Sequence, residues 1–248
     1  SLKEYVVECK GKFDALHYDG GVADPFGILF GEICDEVKLP LLNNRAHIEH
    51  LAHDKMYQLL RFSKAGLPVP ATEFTRSVSW EALSETLGVP FIAKAVRGAQ
   101  GTHVHKISVS ADLDFIDKPA SYLFQKYIPH KNDVRVLVLN GKAICGYRRV
   151  PAKDDFRTNV DRGRSVEPSS DLTEKQVTFK LAEAAVQLFR QDLAGVDIIK
   201  SEEDGQYRLI EINTNPSWYG ISQSTDTVFE DALIASYVRL VEQKSSRE

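Results

Sequence analysis

The sequence predicts an α+β fold, and three observations predict it. Asn140-Gly141 joins two alternating apolar runs and reads as a two-residue hairpin turn, which sets its flanking strands antiparallel. The stretch from Thr173 to Leu188 repeats apolar residues at helical spacing. Two strands near the C-terminus, Val196 to Lys200 and Tyr207 to Asn213, are separated by an Asp-Gly turn and so form a second hairpin. Helices interspersed with antiparallel hairpins fit α+β better than a doubly wound sheet.

The elements follow in order. Residues 1–47 read as a short α/β segment, with a strand at Phe13-Asp14-Ala15-Leu16, a helix from Ile28 to Val37, and a turn at Lys38-Leu39-Pro40. Asp54 opens a helix whose predicted apolar face carries Met56, Leu59, Leu60 and Ser63, and Gly66 and Pro68 stop it. A strand runs from Pro90 to Val96, with the proline in the tolerated first position. Tyr122 to Ile128, Val134 to Val138 and Ala143 to Val150 read as further strands. In the helix from Thr173, Thr173 and Gln176 form a predicted capping box, Leu172 and Val177 its staple, and Gly195 lies beyond its end. A final amphipathic helix covers about Thr227 to Val241.

Composition bounds the function classes. Of 248 residues, 43% are hydrophobic and 27% charged, an ordinary globular balance. The net charge of −4 advertises neither a nucleic-acid nor an anionic-membrane partner. No apolar run is long enough to span a bilayer and no signal-peptide pattern opens the sequence. Cys9, Cys34 and Cys145 are dispersed and odd in number, as expected of reduced thiols in a cytoplasmic protein.

The chemistry-bearing residues cluster late in the chain. Alternation sends Ile210 and Ile212 to one face of their strand and Glu211 and Asn213 to the other. If Glu203-Asp204-Gly205 is a three-residue loop, Glu202 pairs with Gln206, and counting outward sets Asp197 opposite Glu211 on the same face. Two facing carboxylates repel unless a cation lies between them, so this is either an oxygen-ligand cage or a pair of solvated strand ends. A two-residue loop would place the side chains on opposite faces. Lys94 interrupts an apolar strand just before Arg97-Gly98-Ala99-Gln100-Gly101, a loop whose backbone could cradle phosphate, or simply turn the chain. Arg148, Arg149, Arg157 and Arg164 crowd one segment, with Arg157 next to Thr158 and Asn159. Guanidinium groups suit polyphosphate or acyl phosphate, although interleaved Asp154, Asp155 and Asp161 also suit a solvated face.

From Asp54 onward the chain resembles the ATP-grasp superfamily, most of all RimK-type amino-acid ligases. The resemblance rests on Asp54-Lys55, Gly66 to Thr72, Pro90 to Lys94, Gly98 to Gly101, Gln125 to Ile128, Asp133 to Val136, Asp155 to Asn159, Gly195 to Ile198, Glu211 to Asn213 and Asn215-Pro216, all in the family's order. It implies the ATP-grasp fold, two α+β lobes enclosing ATP: a shortened α/β segment at 1–47, an N-terminal lobe with the phosphate loop at 48–127, and a C-terminal lobe with the metal site at 128–248. It further implies that Lys94 and the loop bearing Gly98, Gln100 and Gly101 contact the phosphates, Lys126 and Tyr127 flank adenine, and Asp133 faces the ribose. Arg157 and Asn159 would meet the γ-phosphate, Arg149 would steady an acyl phosphate, and Asp197, Glu211 and Asn213 would hold Mg2+, with Mn2+ as the alternative. The implied reaction is ATP-dependent amide formation between a small-molecule or peptide carboxylate and an amine, without nucleic acid or membrane.

Three positions depart from the family pattern: Lys126 stands for the usual Glu, His103 for a Gly, and Ser217 for the Gly after Pro216. The last lies where the amino substrate is shaped and argues against carrying over glutamate specificity. The N-terminal segment is shorter than the family's, implying a truncated chain or a compact member that completes its surface as a homo-oligomer. His47, His50 and His53 drift about 60° per step around a helix and converge poorly on a metal. Trp218 and Tyr219 are candidates for a substrate-pocket wall. Competing readings are a small-molecule kinase on the same fold and a nucleotide-binding module without turnover.

Overall fold

The computed structural model describes residues 1–17, 25–44, 47–48, 51–97, 103–151, 165–169, 171–216 and 229–245. Helix α1 (Leu2–Lys10) starts at a capping box made by Ser1 and Glu4. Strand β1 (Leu16–His17), helix α2 (Pro25–Glu36) and strand β2 (Leu41–Leu42) follow, with β1 and β2 paired in parallel. The strand expected at Phe13 to Leu16 is later and shorter, because the Phe13 N–H still closes the end of α1 on the Cys9 carbonyl. Val6, Cys9, Phe30, Cys34, Leu39 and Leu41 form the small core of this segment.

Helix α3 (Lys55–Lys64) is capped by Asp54, whose carboxylate accepts from the Tyr57 N–H. Its buried face is Gln58, Leu59 and Phe62, while Leu60 is 43% exposed. The expected face was rotated because the buried stripe includes a glutamine, which an apolar pattern passes over. Strand β3 (Thr72–Glu73), helix α4 (Trp80–Leu87), and strands β4 (Phe91–Ala95), β5 (Val104–Ile107) and β6 (Tyr122–Lys126) build an antiparallel sheet in the order β3-β6-β4-β5. Leu83, Leu87, Phe91, Ala93, Ile107 and Phe124 pack α4 against it. Trp80, tilted against Phe91, belongs to this packing.

The second sheet comprises β7 (Asp133–Leu139), β8 (Lys142–Val150), β9 (Ser165–Pro168), β10 (Leu193–Lys200) and β11 (Tyr207–Asn213), ordered β11-β10-β7-β8-β9 and wholly antiparallel. Asn140 and Gly141 have φ of 51° and 72°, the left-handed pair that a primed hairpin turn requires. Helix α5 (Leu172–Gln187) enters this sheet's core, and α6 (Phe229–Ser245) ends the described chain. The cap of α5 is Asp171, not Thr173: its carboxylate accepts from both the Thr173 and Glu174 N–H groups. A carboxylate satisfying two first-turn amides outcompetes a hydroxyl inside the helix. Leu172 is 80% exposed and forms no staple. Gly195 lies within β10 rather than at a helix end, and a Cβ there would stand 2.7 Å from Pro216 Cβ. A glycine at that point lets the segment after β11 lie against β10.

The two faces of this sheet differ in chemistry. Val134, Val136, Val138, Ala194, Val196 and Ile198 face α5 and α3 in one apolar core with Leu209 and Ile212. On the opposite face, Leu137, Leu139, Cys145, Tyr147 and Leu193 pack with Leu42 and Phe229 at one end. The other end of that face carries Asp133, Arg135, Arg149 and Asp197, all buried. No helix among the described residues is long and apolar enough to cross a membrane.

Candidate active site

The sheet register assembles the charged end. Asp197 pairs directly with Glu211 on β11 and with Arg135 on β7, while Asp133 pairs with Arg149. Residues two apart on a strand share a face, so these side chains form two adjacent rows across four strands. The Asp197–Glu211 pairing arises by a route different from the three-residue loop expected of the sequence. Ser201 and Gln206 close the hairpin instead, Ser201 N–H donating to the Gln206 carbonyl, so the loop is one residue longer. That shift would put the two carboxylates on opposite faces. A bulge beside Asp197 adds a residue to β11 and restores the pairing. It also turns Leu209, with Ile212, into the core instead of Ile210.

Asp197 accepts from Arg135 Nε at 2.7 Å and Arg135 Nη2 at 2.8 Å, lies 2.8 Å from Arg149 Nη2, and accepts from Asn213 Nδ2 at 3.3 Å. Burial alone would raise its pKa, but the two guanidiniums overcome that and hold it far below the usual carboxylate range. Arg149 also donates to both oxygens of Asp133, through Nε at 2.6 Å and through Nη2. Burial disfavours the Arg149 charge, yet Asp133 and Asp197 together push its pKa upward.

Lys94 reaches this cluster from the other sheet. It is 4% exposed; burial lowers its pKa to about 8, although Glu211 and, more weakly, Asp197 act to raise it. Lys55, in the first turn of α3, places Nζ 3.5 Å from Glu211 Oε2. The motif Asp54-Lys55 was legible, but the role of Lys55 beside Glu211 was not, since only the docking of α3 brings it there. The cluster therefore joins Lys55, Lys94, Arg135 and Arg149 to Asp133, Asp197 and Glu211, four cations against three carboxylates.

The donor set fits a hard cation in part. Two carboxylates and an amide on neighbouring strands supply oxygen ligands of the right chemistry. A carboxylate offers about four lone-pair directions, and four protein N–H groups already address Asp197. Glu211 and Asn213 are thus the more available pair. Among the described residues no group of three His, Cys, Asp or Glu could hold a metal.

The other expected site residues are placed as follows. Asp133 is 5% exposed and its carboxylate accepts from Arg149 within the buried network. Arg149, 3% exposed, is braced between Asp133 and Asp197. Lys126 ends β6, donates its backbone N–H to the Ala71 carbonyl at 2.8 Å, and sets Nζ 3.8 Å from Glu203. Tyr127 receives Lys106 Nζ over its ring at 4.1 Å. His47 pairs with Asp35 at 2.7 Å. Gly98, Gln100, Gly101, Arg157, Asn159, Arg164, His50, Ser217, Trp218 and Tyr219 lie outside the described residues.

Comparison with known proteins adds the following. A family profile described as a RimK-like ATP-grasp domain matches residues 52–237. A probable alpha-L-glutamate ligase of Aeromonas salmonicida (strain A449) is 28% identical over 256 residues, covering 94% of this chain and 83% of its own. One from Parasynechococcus marenigrum (strain WH8102) is 32% identical over 183 residues, covering 70% of this chain and 38% of its own. The chain thus spans much of the first relative but well under half of the second. Among solved structures, the ATP-grasp ligase PsnB complexed with minimal precursor, Mg and ADP superposes with a TM-score of 0.67 at 22% identity, over 86% of this chain and 66% of that one. D-alanine–D-alanine ligase from Bacillus anthracis gives a TM-score of 0.69 at 18% identity, over 99% and 84%.

Proposed function

The chain belongs to the RimK-like ATP-grasp family, and from that premise we propose that it is an ATP- and Mg2+-dependent ligase joining a carboxylate to an amine. The carrying observation is the meeting of Asp197, Glu211 and Asn213 with Lys55 and Lys94 on one partly buried surface, where four cations face three carboxylates. An excess of cations over carboxylates, together with oxygen donors for a metal, is the electrostatics that a magnesium-bound polyphosphate needs. The names of the relatives point the same way, towards ligation of amino acids or peptides.

When bound, magnesium ATP would supply a phosphoryl group to the acid, leaving ADP, and the amine would then displace phosphate from the activated acid. The chain's own residues position and neutralise. Glu211 and Asn213 offer oxygens to the metal, and Lys55 and Lys94 bear on the phosphates. Arg135 and Arg149 hold Asp197 ionised and fixed beside Glu211. Little covalent chemistry is asked of any side chain, so preorganised charge carries the rate. For the acid we propose an amino acid, peptide or protein carboxylate, and for the amine an amino acid. Cys9, Cys34 and Cys145 are buried and form no disulfide, which fits a reducing compartment such as the cytoplasm.

The test is phosphate release over paired amino acids and short peptides, with mass spectrometry of the products. The reading predicts release that needs both acid and amine and a product heavier by one amide condensation. ADP formation with a hydroxyl acceptor and no amine, giving a phosphorylated product and no free phosphate, would replace it with a kinase.

A further inference from the structure

We infer that Gln58 is a positioning residue for the metal-carrying strand, setting the Mg2+ affinity of the site without touching metal or nucleotide. The inference rests on the reading of Glu211 and Asn213 as magnesium ligands. Among the described residues β11 is the edge strand of its sheet, so its outer backbone groups find partners outside the sheet, the Leu209 N–H donating to the Pro68 carbonyl at 2.8 Å. Ile212 is the residue between the two proposed ligands, and its side chain points into the core. Its N–H donates to Gln58 Oε1 at 2.9 Å, and its carbonyl accepts from Gln58 Nε2 at 2.9 Å. Nε2 also donates to the Ala52 carbonyl, tying the clamp to the segment before α3. Gln58 is 2% exposed.

The geometry gives this clamp a specific task. The bulge beside Asp197 is what returns Glu211 to the site face, and a bulged edge strand is the part of a sheet most free to slip. A single amide that takes both backbone groups of Ile212 fixes the strand just past the bulge, with a ligand on either side. The same helix carries Lys55, 3.5 Å from Glu211, so α3 sets the distance between the proposed metal ligands and a phosphate-facing cation. Ordinary core packing of α3 does not need this, since Leu59 and Phe62 already supply it.

The experiment titrates magnesium chloride against the full chain at fixed ADP, followed by calorimetry and by the shift in Tm, alongside kcat and KM for ATP. Gln58→Met keeps the side chain's bulk but offers Ile212 nothing. It is expected to raise the half-saturating Mg2+ concentration about 10-fold, the scale seen when outer partners of metal ligands are removed. Phe62→Leu serves as the packing control: it loosens α3 while leaving the Gln58–Ile212 hydrogen bonds in place, and is expected to lower Tm while leaving the Mg2+ requirement within about twofold of wild type. If Gln58→Met does not accumulate as folded protein, Gln58→Glu retains the acceptor for the Ile212 N–H and is expected to shift the requirement less, in the same direction. An unchanged Mg2+ requirement in the Gln58 variant, or an equal shift in Phe62→Leu, overturns the inference. Glu211→Ala separates the two layers: a normal Mg2+ requirement there removes the ligand reading itself, and the positioning role with it.

Discussion

Asp197 and Glu211 face each other, but their surroundings ask different things of them. Asp197 is 4% exposed and neutralises two guanidiniums. Asp197→Asn leaves that positive charge buried and underpaired, which should cost about 3–5 kcal/mol in a denaturant titration. Glu211 is partly exposed and has Lys55 at 3.5 Å, so Glu211→Gln should cost less stability than Asp197→Asn in the same titration, while turnover is lost. Lys94 shows the opposite balance, since on the proposed reading its charge serves a phosphate, while it is costly to the empty fold. Its pKa is about 8 in the folded chain, below the ordinary lysine value, because burial disfavours the ammonium. Between those two values the unfolded chain binds more protons, so this contribution to stability rises with pH. Lys94→Met should therefore raise the Tm of the nucleotide-free protein at about pH 7, with an advantage that shrinks by about pH 9.5. An undiminished advantage at the higher pH would contradict the assignment.

At the scale of elements, what the sequence discloses and what it hides divide along physical lines. The Asn140-Gly141 hairpin is local, fixed by two residues that accept positive φ, and the structure has it where the sequence places it. Strand β11 was readable residue for residue, because alternation and the Asp-Gly turn bound it. Its register was not readable in the same way. The longer turn and the bulge are compensating shifts, and a count that ignores both still arrives at Asp197 opposite Glu211. The cap of α5 was misplaced because Asp171 and Thr173 both suit a helix start, and only the backbone decides between them. Asp171→Ala should lower the Tm, and Thr173→Ala should leave it close to wild type. The reverse order in thermal melts would restore the capping box expected from Thr173. Gln58 and Lys55 stayed hidden for a further reason, since each acquires its role only when α3 docks on β11.

In the molecule as a whole, a sheet with one apolar face and one divided face meets a second sheet that contributes Lys94. The apolar face settles the fold against α5 and α3, and the charged end of the other face collects Asp133, Arg135, Arg149 and Asp197. The ATP-grasp reading joins these observations into one claim: Glu211 and its neighbours hold a magnesium nucleotide where Lys55 and Lys94 meet it. Calorimetric titration of ADP with and without Mg2+, on the wild-type chain and on Glu211→Ala, measures this directly. The account predicts that Mg2+ tightens ADP binding to wild type and that the variant, still folded, loses the Mg2+-dependent increment. Equal tightening in both proteins would contradict it.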